Sequence, residues 1–288
     1  MKKKKRISMI VFCLLLTTLI SYGSQQVVVT LGNDLNQQQR KQMLELFGVE
    51  EGSIKILVVT NQEERTYLEG LATERQIGTR AISSAYIEDL QQGEGISVET
   101  YNITWVTEEM IMNALVTAGV TNAKVVAASP FEVSGTAALT GILKGFEEIT
   151  GEAISEEQKQ VANEEMIKTA ELGEKIGKDE ASTLIREIKE VIVEKRIREP
   201  EEIKRVVIEI AGQLNIRLTE GQIEEITKLM EGITRLNLNT EVIRQQLHGI
   251  GRQLRDISRE NQQVQSFLQR IIEMLRSIVE SILGIFSS

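Results

Sequence analysis

Apolar positions along this chain follow two regimes. Up to about residue 150 they come as short β-rich runs separated by amphipathic stretches. From about Ser155 onward the β pattern is gone and apolar residues recur every three or four positions. In the first regime Val27-Val28-Val29 opens a strand, and a helix is expected from Asn36 to about Phe47, stopped by Gly48. Ile54–Val59 is a second strand, followed by a helix from about Gln62 to Arg75. Ala81–Ile87 and Ile96–Val106 form two more strands, and the Gly93-Glu94-Gly95 loop between them predicts a hairpin. A helix from Thr107 to Ala118 ends at Gly119. Lys124–Ala128 is another strand, Ser129-Pro130-Phe131 a turn, and Ser134–Ile149 a helix capped by Ser134. Such alternation with one hairpin predicts an α+β or α/β domain, a mixed sheet covered by flanking helices.

The second regime predicts an all-helical region. Pro200 fits a first helical turn, followed by Glu201 and Glu202 where the helix dipole favours acids. Three capping-box patterns mark helix starts, at Asn36 with Gln39, Ser155 with Gln158, and Thr219 with Gln222. The most regular periodicity is at the end. Ile243, Ile250, Ile257, Val264, Ile271, Ile278 and Ile285 alternate with Leu247, Leu254, Asn261, Leu268, Leu275 and Ile282 in steps of four and three. Leu at a and Ile at d favour three or more strands in a coiled coil, with Asn261 fixing register. Gly249 and Gly251 weaken the early part by about 1 kcal/mol each relative to Ala. The seam therefore predicts a homo-oligomer. The competing readings are a long helix folded back on its own domain and, because Phe267, Ile272, Met274, Val279 and Phe286 widen the stripe, peripheral contact with a membrane.

The N-terminus alters the picture. Lys2–Arg6, an apolar run from Ile7 to Ile20 and the small residues of Ser21-Tyr22-Gly23-Ser24 have the order of a signal peptide, 1–23. The expected divisions are then 24–150 for the mixed domain, 151–239 for the helical region and 240–288 for the heptad helix. Five of the 33 Lys and Arg residues lie in the leader, and none of the 42 Asp and Glu. Without it 28 bases face 42 acids, a net charge of −14. An acidic surface repels phosphate backbones and argues against nucleic acid as a partner. The leader also takes Cys13, the one cysteine, so disulfides are excluded from the remainder.

Four segments carry a family resemblance: Gly78-Thr79-Arg80-Ala81-Ile82-Ser83-Ser84-Ala85-Tyr86-Ile87, Asn102-Ile103-Thr104-Trp105-Val106-Thr107, Asn113-Ala114-Leu115-Val116-Thr117-Ala118-Gly119-Val120, and Ser134-Gly135-Thr136-Ala137-Ala138-Leu139-Thr140-Gly141. They resemble the YpuA-like family, secreted proteins of Gram-positive bacteria that form a domain of unknown function. The resemblance spans about residues 25–240. It implies secretion and a shared fold, and it brings no catalytic residues with it.

Few chemistries remain. Without cysteine, thiol nucleophiles and cysteine-rich metal sites are excluded. The one histidine, His248, falls at a b position of the heptads and reads as a solvated helix residue. No calcium-loop or paired-histidine pattern exists, so no metal ligands, catalytic residues or cofactors are assigned. Glu108-Glu109 follows Thr107 as a helix start; its alternative is a carboxylate pair for hydrolysis of envelope glycan. Ser134-Gly135-Thr136 opens a helix, where free N–H groups bind anions; small residues for close helix–sheet packing are the favoured explanation, since no phosphate-loop Lys or dinucleotide Gly fingerprint accompanies it. Arg80, beside Gly78, fits a bound carboxylate or phosphate and, equally, an acid of its own fold. Asn102 and Thr104 on one strand face suggest a polar groove, with Trp105 in the core. Together these features predict a secreted, non-enzymatic cell-envelope binding or interaction protein. Its partners are a second copy of itself or an envelope component, and carriage of a small anion is the further alternative.

Overall fold

The computed structural model describes residues 26–257. The predicted leader and the heptad positions Asn261, Leu268, Leu275 and Ile282 lie outside the described residues. The elements run β1 (Val27–Gly32), α1 (Gln37–Leu46), β2 (Lys55–Val59), α2 (Asn61–Leu68), α3 (Glu74–Ile77), β3 (Ser84–Asp89), β4 (Ile96–Ile103), α4 (Glu108–Thr117), β5 (Ala123–Val133) and α5 (Thr136–Thr150). Helices α6 (Glu156–Ile176), α7 (Lys178–Lys195), α8 (Pro200–Gln213) and α9 (Glu220–Arg235) follow, and residues 240–257 are helical again. The mixed sheet with flanking helices, and the helical region after it, are as the sequence pattern implies. The three expected capping boxes form in both directions, Thr60 with Glu63 adds a fourth, and Pro200 opens α8.

Strand order departs from expectation. The sheet is ordered β2-β1-β3-β5-β4. β1 and β2 are parallel, as are β4 and β5, while β3 runs antiparallel to β1 and β5. β3 and β4 therefore do run in opposite directions, but the predicted hairpin does not form, because β5 lies between them. The connection is held open around Asn122, whose Oδ1 accepts the N–H groups of Gly93 (2.9 Å) and Gly95 (3.1 Å). β5 is also longer than expected: Ser129-Pro130-Phe131 continues the strand and makes no turn.

Alternation along β1 sorts the core. Val28 joins the main cluster with α4, α5 and α6, whereas Val29 and Leu31 face Met43 and Leu44 of α1. Helix α5 lies close on the first of these faces. A Cβ on Gly141 would meet Thr30 Oγ1 at 2.7 Å, and one on Gly145 would meet Ile87 Cδ1 at 2.7 Å. A second cluster, including Leu184, Ile188, Ile203, Val207 and Met230, binds α6 through α9 together.

The stretch 240–257 corrects one expectation. Leu247, assigned to self-association, is fully buried in the main core of its own chain with Ile243 and Ile250, and Leu254 is half-buried against the same cluster. An apolar stripe demands cover but does not specify whose, so the heptad spacing alone did not separate the two outcomes. Where α4, α6 and α7 meet, a buried polar knot replaces apolar packing. Lys189 Nζ donates to Glu165 Oε1 (2.6 Å), the Asn113 carbonyl (2.7 Å) and Thr117 Oγ1 (3.0 Å). Thr117 in turn donates to Glu165 Oε2.

Candidate functional site

The expected helix 62–75 breaks in two. Gly70, at φ +83°, adopts the left-handed conformation after α2 ends, and the chain restarts as the single turn α3. Arg65 of α2 fixes that turn. Its guanidinium donates to both carboxylate oxygens of Glu74 (2.8 and 2.7 Å) and to the Gly78 carbonyl (2.9 Å). Asp34 anchors the following loop by accepting the Ala81 N–H at 2.7 Å. Arg75 and Arg80, flanking this loop, stay exposed, and neither forms an ion pair among the described residues.

On the opposite wall, β5 delivers α5. Asn102 takes a left-handed conformation (φ +57°) at a break in the β4 register, and its Nδ2 donates to the Ser129 carbonyl at 2.8 Å. Pairing resumes between Ile103 and Val133. The N-cap of α5 is Gly135, at φ +93°, and Ser134 does not fill that role. Only glycine fits there, since a Cβ would lie 2.3 Å from Ile103 Cγ2. Ser134 Oγ instead donates to the Gln76 carbonyl of α3 at 2.9 Å. The first amides of α5 thus carry no side-chain cap, although the Ala138 N–H bonds the Gly135 carbonyl at 3.1 Å, and they form the dipole-positive end of a 15-residue helix.

Between the walls is a cleft of about 270 Å³ lined by Glu64, Arg75, Arg80, Ser83, Ser134 and Thr136 among others. Three of the predicted ligand-binding positions, Arg80, Ser134 and Thr136, meet here, and Gly135 shapes the turn between them. Glu64 has no exposed surface. Thr136 Oγ1 donates to its Oε1 at 2.7 Å and Asn61 Nδ2 to its Oε2 at 3.2 Å. Burial pushes its carboxyl up to about 7, against the pull of those hydrogen bonds and of the Arg65 charge. Ser83 is 5 % exposed. Glu64, Arg75 and Ser83 were not anticipated from sequence.

The other two predicted positions lie elsewhere. Asn102 spends its amide on the β5 bulge. Thr104 follows β4, donates to the Val133 carbonyl at 3.0 Å and lines a separate cleft of about 760 Å³. The bulge rotates Asn102 out of the strand's alternation, so the two do not form one polar groove. That second cleft also contains the Glu108-Glu109 pair. Glu109 binds Arg186 Nε at 3.0 Å, both nearly buried, and burial raises its carboxyl above the usual range while Arg186 opposes the rise. Glu108 accepts the Thr100 N–H of edge strand β4 at 2.9 Å. Trp105 packs half-buried on the main core and donates to Glu174 at 2.7 Å. His248 Nδ1 lies 3.0 Å from Glu190 Oε1 on α7, outside both clefts. Among the described residues no group of three His, Cys, Asp or Glu stands together as a metal site.

Comparison with known proteins places this geometry in a family. A family model described as "Protein of unknown function (DUF1002)" matches residues 31–250. The "Uncharacterized protein YpuA" of Bacillus subtilis (strain 168) is 42% identical over 222 residues, 77% of this chain and 76% of that protein. No solved structure matches the chain. The matched span includes both walls of the smaller cleft.

Proposed function

The chain belongs to the DUF1002 family of proteins of unknown function, and we propose that it is an exported, non-enzymatic binding protein of the cell envelope that holds a small anionic group at the start of α5. One observation carries the reading: Arg75, Arg80 and the first residues of α5, a helix start with no side-chain cap, line one cleft. A carboxylate or phosphate there would meet guanidinium donors from one side and amide donors from the other. The engagement of Glu108 by Thr100 and of Glu109 by Arg186 favours binding over carboxylate hydrolysis. Export rests on the order of charge, apolar run and small residues in 1–23. Exported protein is expected to begin at Ser24 or Gln25, and N-terminal sequencing that found Met1 in place would remove this part of the proposal. With Ile243, Leu247 and Ile250 committed to the chain's own core, contact with a second copy or an envelope component falls to the heptads from Asn261 on.

Nuclear magnetic resonance titration tests the pocket. Sulfate, inorganic phosphate and acetate added to the exported protein are expected to shift the amides of Gly78–Arg80 and Thr136–Ala138 saturably. Arg80→Ala combined with Arg75→Ala is expected to weaken that response at least about tenfold, the loss of roughly 1.4 kcal/mol. Shifts that are absent, or equal in the double variant, overturn the assignment.

A further inference from the structure

The cleft contains one group that does not suit an anion: a carboxylate. Glu64 reaches Thr136, the first residue of α5, through the 2.7 Å bond to its hydroxyl. The same hydroxyl lies 3.2 Å from Ser134 Oγ, which donates to the Gln76 carbonyl. Counting protons shows what this chain of oxygens requires. With Glu64 ionised, the two hydroxyl protons fill only two of the three contacts: Thr136 donates to Glu64, and Ser134 donates either to Gln76 or to Thr136, leaving the other without a hydrogen. With Glu64 protonated, a continuous relay is available: Glu64 donates to Thr136, Thr136 to Ser134, and Ser134 to the Gln76 carbonyl.

We propose that anion binding in this cleft is coupled to protonation of Glu64: the site takes its ligand together with a proton and releases both as pH rises. The proposal rests on the anion-site reading above and names its regulation. An ionised Glu64, itself cut off from water, and an anion bound in the same cleft repel each other, whereas the acid form presents no charge. By linkage, whatever raises the proton affinity of Glu64 when the anion binds must raise the anion's affinity equally when Glu64 is protonated. The titration range of Glu64, about 7, puts the switch near neutrality.

The other charges around Glu64 are already committed or rigidly cationic. On α2, Arg65 is bound to Glu74 of α3, and Glu63 to Lys144 of α5. From α3 and the loop after it come Arg75 and Arg80. On α6, which packs on α2, Glu156 accepts from Tyr67 and pairs with Lys159, which also binds Glu147. Among these groups Glu64 is the one fully buried carboxylate without an ion-pair partner among the described residues.

Sulfate is the probe, because its own charge does not change near neutrality. Its affinity for the exported protein is expected to rise on going from about pH 8 to about pH 6, by at most tenfold per unit, the limit set by uptake of one proton. Calorimetry at about pH 7 in buffers of different ionisation enthalpy is expected to show proton uptake on binding. Glu64→Gln, which mimics the neutral acid in shape, is expected to bind sulfate with pH-independent affinity close to the wild type's low-pH value. Sulfate affinity equal at both pH values in the wild type, or binding without proton uptake, refutes the coupling and leaves the pocket standing. Absence of sulfate binding at every pH removes the anion site itself.

Discussion

Lys189 offers the sharpest stability test. Its ammonium and the Glu165 carboxylate are each 1 % exposed and 2.6 Å apart, and all three ammonium protons find acceptors. Lys189→Met keeps length and volume but removes the charge. Glu165 would then keep only the Thr117 hydroxyl, and the Asn113 carbonyl would lose its side-chain donor. Breaking a buried pair from one side costs about 3–5 kcal/mol, because the remaining charge has neither water nor partner. Against a total stability of about 5–15 kcal/mol that is a large fraction. Adding Glu165→Leu removes the orphaned charge, and the double variant is expected to recover most of the loss, since apolar replacement of a buried pair is often neutral or better. Urea unfolding followed by circular dichroism of wild type, both single variants and the double variant gives the four stabilities and the coupling between the sites. A single variant that loses less than about 1 kcal/mol, or a double variant no better than the single, would show that the pair is not closed off from water.

Glu64 makes stability pH-dependent. Its folded carboxyl titrates near 7, above the 4.5 of the free group, so the unfolded chain releases this proton first. Its contribution is complete below about pH 4.5 and is lost as pH rises to about 7, on the order of 3 kcal/mol; Glu64→Gln should flatten that slope in urea midpoints, and an unchanged slope refutes the assignment. Gly145→Val forces a side chain against Ile87 and Val28 and should cost about 1–3 kcal/mol in thermal unfolding. Leu247→Ala should cost about 2–5 kcal/mol without altering sedimentation, as a core truncation does; dissociation at unchanged stability would instead place Leu247 between chains.

The helix starts were legible because capping is local: a Ser, Thr or Asn three residues before Gln states its own partner. Strand order was not. Nothing in the loop between β3 and β4 announces that a strand arriving some twenty residues later will enter between them. The two buried ions were readable in retrospect as polar residues on apolar faces. Glu64 precedes Leu68 by one helical repeat, and Lys189 sits in the stripe of Ala181, Ile185, Ile188 and Ile192. Periodicity marked those faces as buried, but only packing identified Glu165 as the partner of one and Thr136 as the neighbour of the other. Arg80 and the Ser134-Gly135-Thr136 turn were found by residue type. Arg75 was hidden because the helix expected through it breaks at Gly70.

The position of β5 governs when the molecule can fold. Among the described residues it is the last strand to be synthesised, yet it joins β3 to β4, so a chain emerging from its N-terminus has β1–β4 before it has the strand that unites them. The main core is incomplete even then, lacking Ile243, Leu247 and Ile250 until residue 250 of 288 has been made. Such dependence on distant pairings slows closure and favours assembly after, rather than during, translation. Nascent chains shorter than this should remain open to proteases across the sheet and the helices packed on it, whereas α6–α9, which share a core of their own, can gain protection earlier.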